Sequence, residues 1–209
     1  MPNSVKILNK INNFKKTISV SGDKSISIRW VLFSSLANGI SISKNLLISE
    51  DVTAAINAVR KLGIKVNLKK NICKIYGRGV NGYKYKKNIV INAQNSGTLG
   101  RLILGLLINT KFPIKLIGDK SLSKRDFSRV IKPLNLFGVN IKSKNEMLPL
   151  ELKGSNLLRP INYTENKGSA QIKTCIILSA INTRGVTKIN AKKSRNHTEL
   201  LLKYLKYPI

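Results

Sequence analysis

Asn95-Ser96-Gly97-Thr98 opens an apolar, helix-like run, and this arrangement decides the fold because it occurs three times along the chain. Lys24-Ser25 opens an earlier run and Gly168-Ser169-Ala170-Gln171 a later one, so the polar clusters recur about every 72 residues. The pattern that follows each cluster recurs as well. A fixed period of this kind indicates an internal triplication.

Each copy reads as an α/β unit. In the first, helical spacing predicts helices over 26–37 and 51–62, and alternation predicts strands over 40–43 and 64–66. The second copy predicts helices over 99–108 and 127–137 and strands over 114–117 and 139–141. The third predicts helices over 172–181 and 197–205 and a strand over 186–189, without a closing glycine and strand. We therefore expect repeats at about 15–80, 88–152 and 160–209, with the third cut short.

The polar clusters predict anion sites. The first N–H groups of a helix are free, and the helix dipole favours negative charge there. We expect the helices that begin near Lys24, Gly97 and Ser169 to lie side by side with their N-termini at one edge. Repeated termini of this kind suggest a ligand that carries more than one anionic group.

Composition excludes several classes of protein. No apolar run reaches 18 residues, so we expect no membrane span, and the lysine-rich residues 1–16 lack the apolar core of a signal peptide. Cys73 and Cys175 form no CxxC pair and read as reduced thiols of a cytoplasmic protein. His197 is the single histidine and has no ligand partner at metal-binding spacing. We expect neither a metal nor a cofactor.

The net charge of +29 has two explanations. It fits a nucleic-acid binder, since basic surfaces bind phosphate backbones. However, the lysines are spread over every segment and aromatic residues make up only 6% of the chain. Lys, Ile and Asn together account for about four residues in ten, which is typical of an AT-rich coding sequence. The pattern favours compositional drift over a nucleic-acid role.

Arginine resists this drift and is therefore informative. Four of the few arginines lie in or beside the repeated clusters: Arg29, Arg101, Arg125 and Arg195. A guanidinium binds phosphate or carboxylate through two parallel hydrogen bonds, which lysine cannot do. Because the chain has only nine acidic residues to pair with them, the arginines favour external anions.

Five motifs, in family order, resemble those of the 5-enolpyruvylshikimate-3-phosphate synthases (3-phosphoshikimate 1-carboxyvinyltransferases). Residues 21–29, SGDKSISIR, are similar to the GDKSISHR opening, with Ile28 at the histidine position. NSGT at 95–98 with Arg101, and GDKSLSKR at 118–125, resemble the next two motifs. The start of the SAQxK helix at 169–173 and SRNHTE at 194–199 resemble the last two, with Asn196 in place of aspartate. The spacing of a P-loop is absent.

The resemblance implies an inside-out α/β domain of the enolpyruvyl-transferase type, made of three βαβαββ units with buried parallel helices and outer sheets. Family members have two such domains. Residues 15–209 would form the substrate-binding one, residues 1–14 would supply strands of the second, and the rest of the second domain would be missing. The chain would then be a half-enzyme of chorismate and aromatic amino acid biosynthesis, with a second-half chain as a possible partner.

The resemblance also implies residue roles. Lys24 would contact both substrates. Shikimate 3-phosphate would be bound further by Ser25, Arg29, Ser169, Ala170, Gln171 and Arg195, and phosphoenolpyruvate by Gly97, Arg125 and Gln171. The acid–base carboxylates of the family lie in the missing half, so none of the residues present is expected to be catalytic. Asp51 reads as a helix N-cap and His197 as a structural residue.

Two functions remain open at this point. The first is enolpyruvyl transfer from phosphoenolpyruvate to the 5-hydroxyl of shikimate 3-phosphate, by a half-enzyme. The second is a non-catalytic anion- or RNA-binding remnant of the same scaffold. A preference for shikimate 3-phosphate over sulfate would separate them.

Overall fold

The computed structural model describes residues 6, 8–10, 13 and 15–209. The strands expected over 1–14 fall on a segment that lies mostly outside these residues and stay a prediction. In the described part of the chain, no helix is long and apolar enough to cross a membrane.

Helices and strands alternate along the described chain. The helices are α1 Lys24–Leu36, α2 Glu50–Lys61, α3 Gly97–Leu106, α4 Ser128–Leu136, α5 Ala170–Ile181 and α6 His197–Tyr204. The strands are β1 Asn38–Ser43, β2 Lys65–Lys69, β3 Ile72–Arg78, β4 Val90–Asn92, β5 Ile114–Ile117, β6 Asn140–Ser143, β7 Leu150–Lys153, β8 Asn162–Glu165 and β9 Lys188–Ala191. A short 3₁₀ turn, Leu122–Lys124, precedes α4.

The three copies share one topology. The middle copy runs β4-α3-β5-α4-β6-β7, which is a βαβαββ unit, and its sheet has the order β4-β5-β7-β6 with β4 parallel to β5. The first copy contributes the sheet β1-β3-β2, which matches β5-β7-β6, and the third contributes the parallel pair β8-β9, which matches β4-β5. The predicted triplicated α/β fold is confirmed.

Helix capping explains where the repeated helices begin. Asp23, Ser96 and Ser169 are the N-caps of α1, α3 and α5, and each side chain accepts a hydrogen bond from the backbone N–H three residues later. These caps lie 73 residues apart. These three helices start two residues earlier than apolar periodicity predicted, because the first two residues of each are small or polar and do not continue the apolar pattern.

The prediction that Asp51 caps the second helix is wrong. Ser49 is the N-cap of α2, with its side chain accepting from the N–H of Val52 at 3.4 Å. Asp51 lies in the first turn, where a carboxylate is favoured by the helix dipole. Its side chain instead pairs with Lys24 at 2.8 Å.

Individual strands were less predictable than helices. The strand expected over 64–66 begins at Lys65 and runs to Lys69, where it turns into β3, which the apolar pattern did not reveal. Lys70 takes a positive φ of 52° in that turn, a conformation that its residue type does not signal. β3 lies between β1 and β2 and completes the first sheet.

The core lies between the helices, and the sheets form the outside. Helix α3 is buried along most of its length, and so are α1 and α5. Gly105 of α3 packs on the backbone of α5, so that a Cβ at this position would overlap the carbonyl oxygen of Cys175. Glycine is therefore the residue that allows the two buried helices to approach each other.

We expect Gly105→Ala to lower the free energy of unfolding by about 1–3 kcal/mol, because the added methyl group forces α3 away from α5. Gly100→Ala is the matched control in the same helix. Both substitutions raise helix propensity by the same amount. A Cβ at position 100, however, would contact only side-chain atoms, the nearest of which is an atom of the Phe127 ring at 3.3 Å. Urea denaturation monitored by circular dichroism measures both, and equal stability of the two variants would contradict the packing argument.

Candidate anion site

The N-terminal ends of α1, α3 and α5 meet, as predicted. Arg29 of α1 donates through Nη2 to the carbonyl oxygen of Ala170 at 3.5 Å and to Oγ1 of Thr174 at 3.1 Å, both on α5. Gln171 of α5 donates through Nε2 to Oγ1 of Thr98 on α3 at 3.0 Å. Side chains near the start of each helix therefore hold the three termini at one edge.

The Arg29 side chain is buried although it is charged, with 4% of the residue's surface exposed. Its Nε donates to Thr198 of α6 at 2.9 Å, and Nη1 donates to the carbonyl oxygen of Ser25 at 3.1 Å. Burial lowers the pKa of this guanidinium from its usual value, and the neighbouring Arg195 lowers it further. Arg29 thus ties α1 to α5 and α6 through hydroxyl and carbonyl oxygens.

A first cleft, of about 290 Å³, lies at the start of α5. It is lined by Lys167, Gly168, Ser169, Ala170, Gln171, Ser194 and Arg195. The loop between β8 and α5 is fixed by Glu165. This side chain is buried and accepts hydrogen bonds from the N–H groups of Lys167 at 2.9 Å and Ser169 at 2.8 Å. Within the described residues, the buried Oγ of Ser194 has no hydrogen-bond partner. Residues that carry hydroxyl, ammonium and guanidinium groups therefore line this cleft.

A second cleft, of about 360 Å³, shares Ser169 and Gln171 with the first. Its other lining residues are Arg101, Arg125, Asp126, Arg129 and Ile172. Gly97 lies beside it, where a Cβ would come within 2.9 Å of Nη1 of Arg101 and 3.1 Å of Nη1 of Arg125. Burial lowers the pKa of Arg101, and Arg125 lowers it further. The three arginines in this cleft outnumber the single carboxylate, so the cleft is positively charged.

Lys24 and Ser25 line neither cleft. The Lys24 side chain is 53% exposed and its Nζ lies 2.8 Å from Oδ2 of Asp51. Ser25 is half-buried, and its carbonyl oxygen accepts from Arg29. Arg29 likewise lines neither cleft, and it connects Ser25 to the start of α5 through its hydrogen bonds to Ser25 and Ala170.

Sequence reasoning missed several residues that build the site. Thr98 lies within a recognised motif and Arg129 lies four residues after one, yet neither residue type gave a signal of a role. Thr174 and Thr198 bind each other at 2.7 Å and bind Arg29, a contact between two helices that no local pattern encodes. His197, expected to be structural, has a buried Nδ1 with no hydrogen-bond partner among the described residues.

A larger cavity, of about 600 Å³, lies at the opposite ends of the same helices. It is lined by polar residues that include Asn109 and Asn182, which follow the C-termini of α3 and α5. Lys111 and Arg184 also line it, but the cavity lies at helix C-termini, whose free carbonyl groups do not donate to an anion.

The fold and the clefts together define a class: a repeated α/β protein that gathers helix N-termini and arginines at one edge. The sequence model of the EPSP synthase (3-phosphoshikimate 1-carboxyvinyltransferase) family matches residues 8–209. The chain therefore belongs to this family.

Named relatives agree with this assignment. The chain is 40% identical over 202 residues to the 3-phosphoshikimate 1-carboxyvinyltransferase of Vesicomyosocius okutanii subsp. Calyptogena okutanii (strain HA), covering 96% of this chain and 46% of the relative. It is 42% identical over 189 residues to the enzyme of the same name from Streptococcus pyogenes serotype M1, covering 89% and 44%. The structure of EPSP synthase from Acinetobacter baumannii matches with a TM-score of 0.86 at 34% identity, covering 91% of this chain and 44% of that one. The chain spans about half the length of the relatives that it matches.

Two of the family motifs are joined by a hydrogen bond at the edge of the site. Asn95 donates through Nδ2 to Oδ2 of Asp119 at 2.6 Å, and the N–H of Leu122 donates to Oδ1 at 2.7 Å. These hydrogen bonds, chiefly the one from Asn95, lower the pKa of the Asp119 carboxyl. The ionised form of Asp119 is thereby stabilised in the folded protein.

We expect Asn95→Ala to raise the pKa of Asp119 towards its ordinary value, because the principal donor to the carboxylate is lost. A carboxyl whose pKa is lowered in the folded state stabilises the protein above its unfolded-state pKa, and this stability is lost as the pH falls through the folded-state pKa. The free energy of unfolding of the variant should therefore depend less on pH in the acid range. NMR titration of the Asp119 carboxyl measures the shift. Asn135→Ala, at an exposed position on α4, is the control, and an equal Asp119 pKa in both variants would contradict the assignment.

Proposed function

We propose that this chain supplies the substrate-binding half of an enolpyruvyl transferase that acts on shikimate 3-phosphate and phosphoenolpyruvate. The observation that carries the proposal is the pair of adjoining basic clefts, which share Ser169 and Gln171 at the start of α5. Two neighbouring anion sites with common residues suit a reaction between two anionic substrates.

The proposed chemistry needs both anions in contact. The 5-hydroxyl of shikimate 3-phosphate loses its proton and attacks C2 of phosphoenolpyruvate while C3 takes up a proton. The tetrahedral intermediate then loses phosphate from C2 and a proton from C3, which restores the double bond. The two substrates repel each other in water, so cations and N–H dipoles that are already in place lower the cost of bringing them together. Arg125 and Arg195, one in each cleft, are placed to supply such cations.

Shikimate 3-phosphate is assigned to the first cleft. Ser169, Ala170, Gln171 and Arg195 line it, which supports their predicted contacts with this substrate. The Ser169 hydroxyl accepts from the N–H of Ile172, and its own proton remains free to donate. Ser25 and Arg29 adjoin the same helix terminus, where we assign Arg29 to hold Ser25 and Ala170 in register.

Phosphoenolpyruvate is assigned to the second cleft. Arg125 and Gln171 line it, and Gly97 leaves room for the approach of Arg125. Lys24 would contact both substrates after leaving Asp51, from which solvent exposure makes it easy to release.

The acid–base groups are assigned to a second domain, as in the family. Carboxylates that lie near the helix termini already have structural contacts. Asp23 and Glu165 accept from backbone N–H groups, and Asp51 and Glu199 pair with Lys24 and Lys173. We therefore propose a second-half polypeptide as the partner that completes the site.

We expect the 209-residue polypeptide to bind shikimate 3-phosphate in preference to sulfate, as measured by isothermal titration calorimetry. Arg195→Gln should weaken this binding about 10- to 100-fold, because a charge-assisted hydrogen bond contributes about 1.5–3 kcal/mol. Arg184→Gln, an exposed arginine beyond the other end of α5, is the matched control and should bind as the wild type does. Equal affinity for sulfate would instead favour a non-catalytic anion- or RNA-binding remnant.

We expect this polypeptide by itself to release no phosphate from the two substrates, because general acid–base catalysis contributes about 10²–10⁴-fold and the open clefts leave water beside both anions. Addition of a separately expressed second half from a relative should restore phosphate release, measured by a coupled colorimetric assay. Turnover by the polypeptide without a partner would refute the assignment of the acid–base groups.

A further inference from the structure

Gln171 occupies a special position, because its side chain is shared by both clefts at the start of α5. An amide can present either a donor or an acceptor to a ligand. An anion is bound by the N–H side and repelled by the oxygen side. The orientation of this one amide group therefore decides whether the site attracts or repels an anionic ligand.

Two residues of α3 set this orientation. Nη1 of Arg101 donates to Oε1 of Gln171 at 3.3 Å, and Nε2 of Gln171 donates to Oγ1 of Thr98 at 3.0 Å. A guanidinium has only donors, so the amide oxygen must face Arg101. The amide nitrogen then faces Thr98 with one N–H, and its second N–H remains available.

Arg101 is itself held within the protein. Nη1 also donates to the carbonyl oxygen of Gly97 at 3.2 Å, and Nη2 donates to that of Asp126 at 3.0 Å. Its guanidinium lies over the Phe127 ring, 4.9 Å from the centroid. These contacts fix the plane of the guanidinium, so Arg101 acts on a ligand mainly through Gln171.

We propose that Arg101 and Thr98 are positioning residues that fix the Gln171 amide with its free N–H towards the anion shared by the two clefts. The proposal deepens the function proposed above and rests on it for the identity of the ligand, but the orientation itself exists without ligand. Loss of either residue frees the amide to rotate, and the rotated form presents its oxygen to the anion.

The ligand-free test is NMR of the Gln171 side-chain amide, assigned by its loss in Gln171→Met. In the wild type we expect the two N–H resonances to lie at chemical shifts displaced from those of a solvent-exposed glutamine amide, with a nuclear Overhauser contact to the Thr98 methyl group. Thr98→Val, which keeps the shape but removes the hydroxyl, should move the resonances towards the solvent-exposed shifts and speed their exchange with solvent. Thr98→Ser should retain the wild-type shifts and slow exchange. If Thr98→Val and Thr98→Ser give the same amide shifts and exchange rates, the proposal is overturned, whether or not any substrate binds.

The ligand test is a double-mutant cycle with shikimate 3-phosphate. We expect Arg101→Met and Gln171→Met each to weaken binding about 10-fold, and the double variant to bind no more weakly than either single variant. Arg184→Met is the control and should bind as the wild type does. Additive losses in the cycle would show that Arg101 acts on the ligand independently and would overturn the proposal.

The two tests keep the proposals distinguishable. If the wild type binds no shikimate 3-phosphate, the proposed function fails and the NMR result alone decides the role of Arg101 and Thr98. If Arg101→Met fails to fold, Thr98→Val and Thr98→Ser replace it in the cycle, with the expected result of a 10-fold loss for Val and retained binding for Ser.

Discussion

The contact between α3 and α5 is the interaction on which the rest of the site depends. Gly105 allows the two backbones to approach, and the same packing brings Thr98 and Arg101 of α3 to Gln171 of α5 at the other end. A buried helix pair transmits position along its length because close-packed interiors deform little. The geometry at the helix N-termini is therefore set by a glycine about two turns away from them.

Electrostatics adds a second constraint. Within the described residues, no carboxylate lies within salt-bridge distance of Arg29, Arg101 or Arg125. Arg29 and Arg101 are partly or fully removed from water and lie near other arginines, which lowers the pKa of each. Bringing like charges together in a partly buried site costs free energy, and a bound anion offsets that cost.

Some features of the fold could be predicted from the sequence because they are local. Ser96 and Ser169 cap their helices through hydrogen bonds three residues away, and the apolar runs of α3 and α5 show their burial directly. Asp51 failed as a predicted cap because Ser49 competes two residues earlier, and β3 escaped notice because Lys70 gave no signal of the turn before it. In both cases the conformation of a residue is decided by an adjacent part of the chain and not by the residue's own type.

The sequence by itself determined the triplicated α/β fold, the family, and most of the residues in the two clefts, since caps, periodicity and motifs are all encoded in short segments. Only the tertiary structure decided which of these residues act together. Arg29 reaches Thr198 across 169 positions of the chain, and Arg101 reaches Gln171 across 70. Lys24 pairs with Asp51 of α2 and lines neither cleft. These partners are chosen by the packing of helices that are far apart in the chain, for Arg29 and Arg101 helices of different repeats, and no local pattern of residues specifies that outcome.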